Sequence, residues 1–130
     1  MQIDDTDYQA LAAFRRALRE FAAFSEQEAR RAGLTPQQHQ AILAIRGRGS
    51  ISVGELAAEL LIRPNSALEL AGRLVKAGMV ARTDADDDRR RVDLTLTEKA
   101  EALLFELSTA HLTELRRRKD LLKMLLARLE

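Results

Sequence analysis

Residue types able to do chemistry gather in two places. In the stretch 64–77, taken as a helix at 100° per residue, Asn65, Ser66, Glu69, Gly72, Arg73 and Lys76 fall on one arc. Ala67, Leu70, Ala71, Leu74 and Val75 fall on the opposite arc and must face a core, with Leu68 at the border. The outer arc is small and polar at its leading end and cationic behind it. Such a helix suits the major groove of DNA: Asn65 can pair with a base edge, Ser66 can reach a base or phosphate, and Leu68 can touch a thymine methyl. Arg63 and Arg73 can hold phosphates on either side. Glu69, and Ser52 at the start of the preceding helix, complete this candidate contact set. The second place is the run Asp84-Ala85-Asp86-Asp87-Asp88-Arg89-Arg90-Arg91. Its aspartates offset its arginines, which leaves two readings. Either the loop is self-neutralised and solvated, or an acidic neighbour orients an arginine into a narrowed minor groove.

Other chemistries find little support. With no cysteine in 130 residues, the chain has no disulfide, thiolate metal ligand, catalytic thiol or cysteine-based redox switch, and it fits a reducing cytoplasm. His39 and His111, the only histidines, lie far apart along the chain. With no ligand spacing around them, they read as helix residues that cap, pack or lie on an arm face. The aspartate run lacks the sixth-position glycine and closing glutamate of an EF-hand. Neither a phosphate-cradling glycine loop nor a nucleophile elbow is present, so no catalytic residue, metal or cofactor is expected. No apolar run is long enough to span a bilayer, and the acidic start Met1-Gln2-Ile3-Asp4-Asp5 does not read as a secretory signal. Net charge is +1, from 21 basic and 20 acidic residues, which neither announces nor excludes a polyanionic partner.

The elements that must position these residues follow from punctuation. All six glycines and both prolines lie between residues 33 and 78, leaving two smooth ends. From Asp5 to Arg31, Tyr8, Leu11, Phe14, Leu18 and Phe21 make the stripe of an amphipathic helix. From Thr97 onward leucines recur to Leu129, over a span of about 50 Å if unbroken, with a bend expected near Lys119-Asp120. So much leucine exceeds what so small a chain can bury, and the two ends are expected to clasp a second copy. In the middle, Thr35-Pro36-Gln37-Gln38 and Ser52-Val53-Gly54-Glu55 are capping boxes that open helices through about Arg46 and Leu61. Pro64 opens a third helix that Gly78 stops. The last two, around the turn Leu61-Ile62-Arg63, form a helix-turn-helix. Period-two alternation then predicts strands over 79–83 and 91–96, Val92, Leu94 and Leu96 sharing one face. A charged hairpin after a helix-turn-helix is a wing. The basic run Arg116-Arg117-Arg118-Lys119 reads as a solvated arm face answered by Glu114 and Asp120.

The stretch from Leu34-Thr35-Pro36 to Leu96-Thr97-Glu98-Lys99 resembles the MarR family of winged helix-turn-helix transcription regulators. The resemblance rests on Ile51-Ser52-Val53-Gly54-Glu55-Leu56-Ala57, on Gly72-Arg73-Leu74-Val75-Lys76-Ala77-Gly78-Met79-Val80, and on Asp88-Arg89-Arg90 followed by Leu96-Thr97. It covers about half the chain. It implies a mainly α (α+β) fold with a DNA-binding lobe over 34–97 and dimerisation arms over 1–33 and 98–130. It further implies a homodimer on a pseudo-palindromic duplex, with the helix 64–77 in the major groove and the wing 84–91 in the minor groove. Asp88 and Arg90 fall where the family keeps its wing aspartate and minor-groove arginine, with Arg89 and Arg91 beside them. Leu68 and Glu69 replace the threonine and arginine common in the family, so base specificity does not carry over. A small aromatic acid or phenol between arms and lobe is the effector the family implies, and repression the expected mode. The alternative is a helical dimerisation or adaptor module that keeps the winged-helix shape for protein contacts.

Overall fold

The computed structural model describes residues 1–85 and 88–129, with the backbone alone for 85 and 88–90. Six helices and a three-stranded antiparallel sheet occupy the described chain, in the order α1 (Asp5–Arg31), α2 (Pro36–Arg48), β1 (Ile51–Ser52), α3 (Val53–Leu60), α4 (Pro64–Lys76), β2 (Val80–Ala85), β3 (Asp88–Leu96), α5 (Glu98–Arg117) and α6 (Lys119–Ala127). Reciprocal capping boxes open α1 at Asp4 and Asp7, α2 at Thr35 and Gln38, and α3 at Ser52 and Glu55. Each satisfies backbone donors that a helix start would otherwise leave orphaned. The break between α5 and α6 falls at Arg118, one residue before the expected bend.

The lobe is built around Ile42, Ile45, Ile51, Leu56, Leu74 and Leu94, all withdrawn from solvent. Leu94 sits in the middle strand of the sheet order β1-β3-β2, opposite Ile51 on one side and Arg82 on the other. Strand β1 was not foreseen. At two residues it is too short for an alternating pattern, and pairing across to Asp93 and Leu94 defines it. The hairpin is also longer than period-two alternation predicts, because Asp84 pairs with Val92 and Ala85 with Asp88 across a register shift.

Two tight junctions fix the recognition unit. Leu61 ends α3 in the left-handed region at φ 56°. Its N–H donates to the Ala58 carbonyl at 3.3 Å, and that of Ile62 to the Ala57 carbonyl at 3.0 Å, a Schellman closure. Gly78, at φ 74°, ends α4 the same way: it donates to the Val75 carbonyl, and Met79 donates to that of Leu74 at 2.9 Å. Thr97 then ties the return strand to this corner. Its hydroxyl donates to the Gly78 carbonyl at 2.7 Å and accepts from the Ala100 N–H, while its own N–H donates to the Met79 carbonyl. The arms follow a different rule. Arg118 is largely buried and pairs with both Glu114 at 3.1 Å and Glu20 of α1 at 3.3 Å. Arg118 therefore ties the arm helices together, while Arg116, Arg117 and Lys119 are exposed and Glu114 answers the run as expected. No described helix is long and apolar enough to cross a membrane.

Candidate nucleic-acid interface

On α4, Ala67, Leu70, Ala71 and Leu74 are buried as their spacing requires, whereas Val75 is 37% exposed and belongs to the flank rather than the core. Arg63, at the N-cap position, makes no side-chain cap. That end carries no acidic side chain in its first turn, so the partial positive charge of the helix start faces outward unopposed. Arg63, Asn65, Ser66, Leu68, Glu69 and Arg73 are all exposed, and Leu68, at the border of the two arcs, is half-exposed at 51%. One convex ridge therefore holds every α4 residue of the expected contact set.

Beside the ridge lies a cleft of about 390 Å³. The α3 start (Ser52, Val53, Gly54), Leu68 of α4, and Arg82, Arg91 and Val92 of the hairpin line it. Two cations, a helix N-terminus and the apolar side chains of Val53, Leu68 and Val92 thus converge between recognition helix and wing. Ser52 accepts from the Glu55 N–H at 3.1 Å as the α3 cap, and its own hydroxyl hydrogen can still donate outward.

Arg91 corrects the expected wing. It does not lie at the hairpin tip: β3 begins at Asp88, which sets Arg91 three positions inside the strand. Its guanidinium bonds Asp93 at 2.9 Å and Glu55 of α3 at 3.0 Å. Glu55 also accepts from the Ser52 N–H and faces Arg48 of α2 at 3.5 Å, and Arg48 reaches Glu59 at 3.8 Å. Hydrogen bonds with Ser52 first, and the Arg91 and Arg48 charges after them, hold the Glu55 carboxyl below its ordinary range. Arg91 is thereby the strut between wing and helix-turn-helix. The part played by Glu55 and Arg48 escaped the sequence reading, because the capping box already accounted for the glutamate. The side chains of Asp88, Arg89 and Arg90, expected at the minor groove, lie outside the described residues, as do Asp86 and Asp87 altogether.

The histidines, read as unrelated, meet where arms and lobe join. Their ring centroids are 4.8 Å apart. His39 is buried with no hydrogen-bond partner on Nδ1 among the described residues. His111 bonds the Leu107 carbonyl through Nδ1 at 2.6 Å and the Ser25 hydroxyl through Nε2 at 2.8 Å. Burial first, and the His111 charge second, push the His39 imidazole below its ordinary value. No group of three or more metal-ligating side chains gathers among the described residues.

A three-helix lobe with a two-stranded wing, an exposed polar helix and a basic cleft defines a winged helix-turn-helix protein. Comparison with known proteins sharpens the class. The MarR family model matches residues 32–91. Over 69 residues the chain is 33% identical to the HTH-type transcriptional repressor MdtR of Bacillus subtilis (strain 168), covering 53% of this chain and 44% of that one. Over 76 residues it is 36% identical to the HTH-type transcriptional regulator FarR of Neisseria gonorrhoeae, covering 58% and 52%. The chain thus matches about half the length of these curated relatives. The multiple antibiotic-resistance repressor (MarR) of Listeria monocytogenes 4b F2365 superposes with a TM-score of 0.73 at 27% identity, covering 92% of this chain and 84% of that one. Through its winged-helix lobe, the chain is similar to the MarR family. These relatives are transcriptional regulators rather than enzymes.

Proposed function

We propose that the chain is a DNA-binding transcription regulator that acts as a homodimer, with α4 in the major groove and the hairpin at the flanking minor groove. The observation that carries this reading is the α4 ridge: its whole outward face is free, polar at the leading turn and cationic behind, beside a cleft holding Arg82 and Arg91. Asn65 and Ser66 read base edges, while Arg63 and Arg73 take phosphates. Arg91 acts by bracing the wing through Glu55. Arg90 is the residue that enters the minor groove, accompanied by Asp88 and Arg89. Support for the dimer comes from the arms, where Tyr8, Leu11, Phe14 and Leu18 on α1 and Leu122 and Leu126 on α6 are 38–63% exposed. Left in water these side chains form an apolar patch of the kind that marks an interface. A two-fold dimer recognises a pseudo-palindrome with half-sites about 10 base pairs apart. Repression is relieved when a small effector favours a dimer whose helices no longer fit that spacing.

The test is a titration of the purified chain with pseudo-palindromic and random duplexes at two salt concentrations. Affinity falling steeply with salt, and differing between the duplexes, supports the reading. Absence of binding at low salt refutes it and assigns the ridge to a protein partner.

A further inference from the structure

Glu69 is out of place on a face offered to a polyanion. It lies exposed on the outward arc of α4, which also carries Arg73 and Lys76. Glu55 and Glu59 of α3 and Asp93 of β3 each hold an arginine, whereas Glu69 enters no ion pair among the described residues. Even Arg73, four positions on and spaced for a helix ion pair, makes none with it. The carboxylate therefore ties no part of the fold together through charge, and it repels every phosphate that the cations around it attract. Gly72 is its neighbour on the same face, three positions on. The φ of Gly72 is not positive, and a Cβ there would meet nothing within 4 Å among the described residues. Neither backbone geometry nor crowding calls for glycine at a position where it weakens a helix interior. Its missing side chain leaves a bare spot beside the carboxylate, onto which a second surface can close.

Acceptor chemistry decides what that surface must offer. An ionised carboxylate only accepts hydrogen bonds. The major groove presents two kinds of donor, the N4 amino group of cytosine and the N6 amino group of adenine. Beside adenine N6 stands the N7 acceptor, which meets a carboxylate with like polarity; cytosine offers its donor alone. We propose that Glu69 is a specificity residue that selects a cytosine in each half-site, accepting from N4 there and repelling the groove wherever that donor is missing. The inference rests on the regulator reading, with α4 in the major groove, and adds to it the base that the helix demands.

The experiment is selection of bound duplexes from a random-sequence pool by the native chain, Glu69→Gln and Glu69→Ala, followed by affinities for single-base variants of the selected duplex. Glu69 is exposed and both replacements are good helix formers, so the variants keep the fold. The native chain should enrich cytosine at one position of each half-site, and changing that base should weaken binding about fivefold to tenfold. Glu69→Gln should move the preference at that position to adenine, because an amide accepts from N6 and donates to N7. Glu69→Ala should lose the preference and bind random duplex about twofold to fivefold tighter at low salt. The same enriched sequence in all three proteins, with random duplex bound no tighter by Glu69→Ala, overturns this assignment and leaves the regulator reading standing. A native chain that retains no duplex from the pool overturns both.

Discussion

Replacing His39 by leucine should stabilise the protein and flatten its response to acid. The ring is 4% exposed, and its Nδ1 meets no hydrogen-bond partner among the described residues. Leaving a buried polar group unpaired costs about 1–3 kcal/mol. The leucine forfeits the ring contact with His111, 4.8 Å between centroids, which contributes roughly 0.5–1 kcal/mol. The net gain is about 1 kcal/mol, or about 3–5 °C in Tm for a domain of this size. The pH dependence has a definite sign. Because burial depresses the folded-state pKa of His39 below its unfolded value, the unfolded chain takes up the proton first. The stability this group contributes is complete above about pH 6.5 and is lost as pH falls below it, by at most about 1.4 kcal/mol per pH unit. Urea unfolding of both proteins at pH 7.5 and pH 5.5 measures the effect. The native protein should lose more stability between these values than His39→Leu. An identical loss in the two proteins, or a His39→Leu protein less stable at pH 7.5, would refute the reasoning.

Further expectations concern the lobe. Leu61→Gly, relieving a left-handed leucine that is 93% exposed, should leave stability unchanged or raise it by up to about 1 kcal/mol, read from the denaturation midpoint; a clear loss would mean that the leucine side chain contributes packing there. Leu94→Ala, at the fully buried centre of the sheet, should cost about 3 kcal/mol in the same assay and loosen the wing. Asn65→Ala should relax discrimination at one base pair by about 1–3 kcal/mol, whereas Arg73→Ala should weaken all duplexes alike and reduce the salt slope by about one; a panel of single-base operator variants separates the two outcomes.

What was legible in the sequence is what local chemistry decides. Thr35 with Gln38, and Ser52 with Glu55, mark helix starts because the cap bonds close within three residues. Gly78 marks the end of α4 because a positive φ is needed there, and the buried arc of α4 follows from its period. The features that escaped are set by distant partners. Strand β1 exists because Ile51 lies opposite Leu94. Arg91 turns inward because Glu55, 36 positions earlier, waits across the cleft. His39 and His111 share one environment only after three helices have packed, and no spacing along the chain announces that. Val75 shows the limit of periodicity itself: it shares the apolar arc with fully buried Leu74 yet stays 37% exposed at the edge of that arc.

The most direct measurement is the distance between the two α4 helices in solution. The chain has no cysteine, so Lys76→Cys, on the exposed flank of α4, accepts a single spin label per subunit. Two recognition helices set for successive major grooves should give one distance distribution centred at about 34 Å, the rise of one duplex turn, sharpened on adding a pseudo-palindromic duplex. Absence of any dipolar coupling at concentrations where the protein is fully assembled, or a distance incompatible with one turn both with and without DNA, would contradict a dimer built to read a duplex.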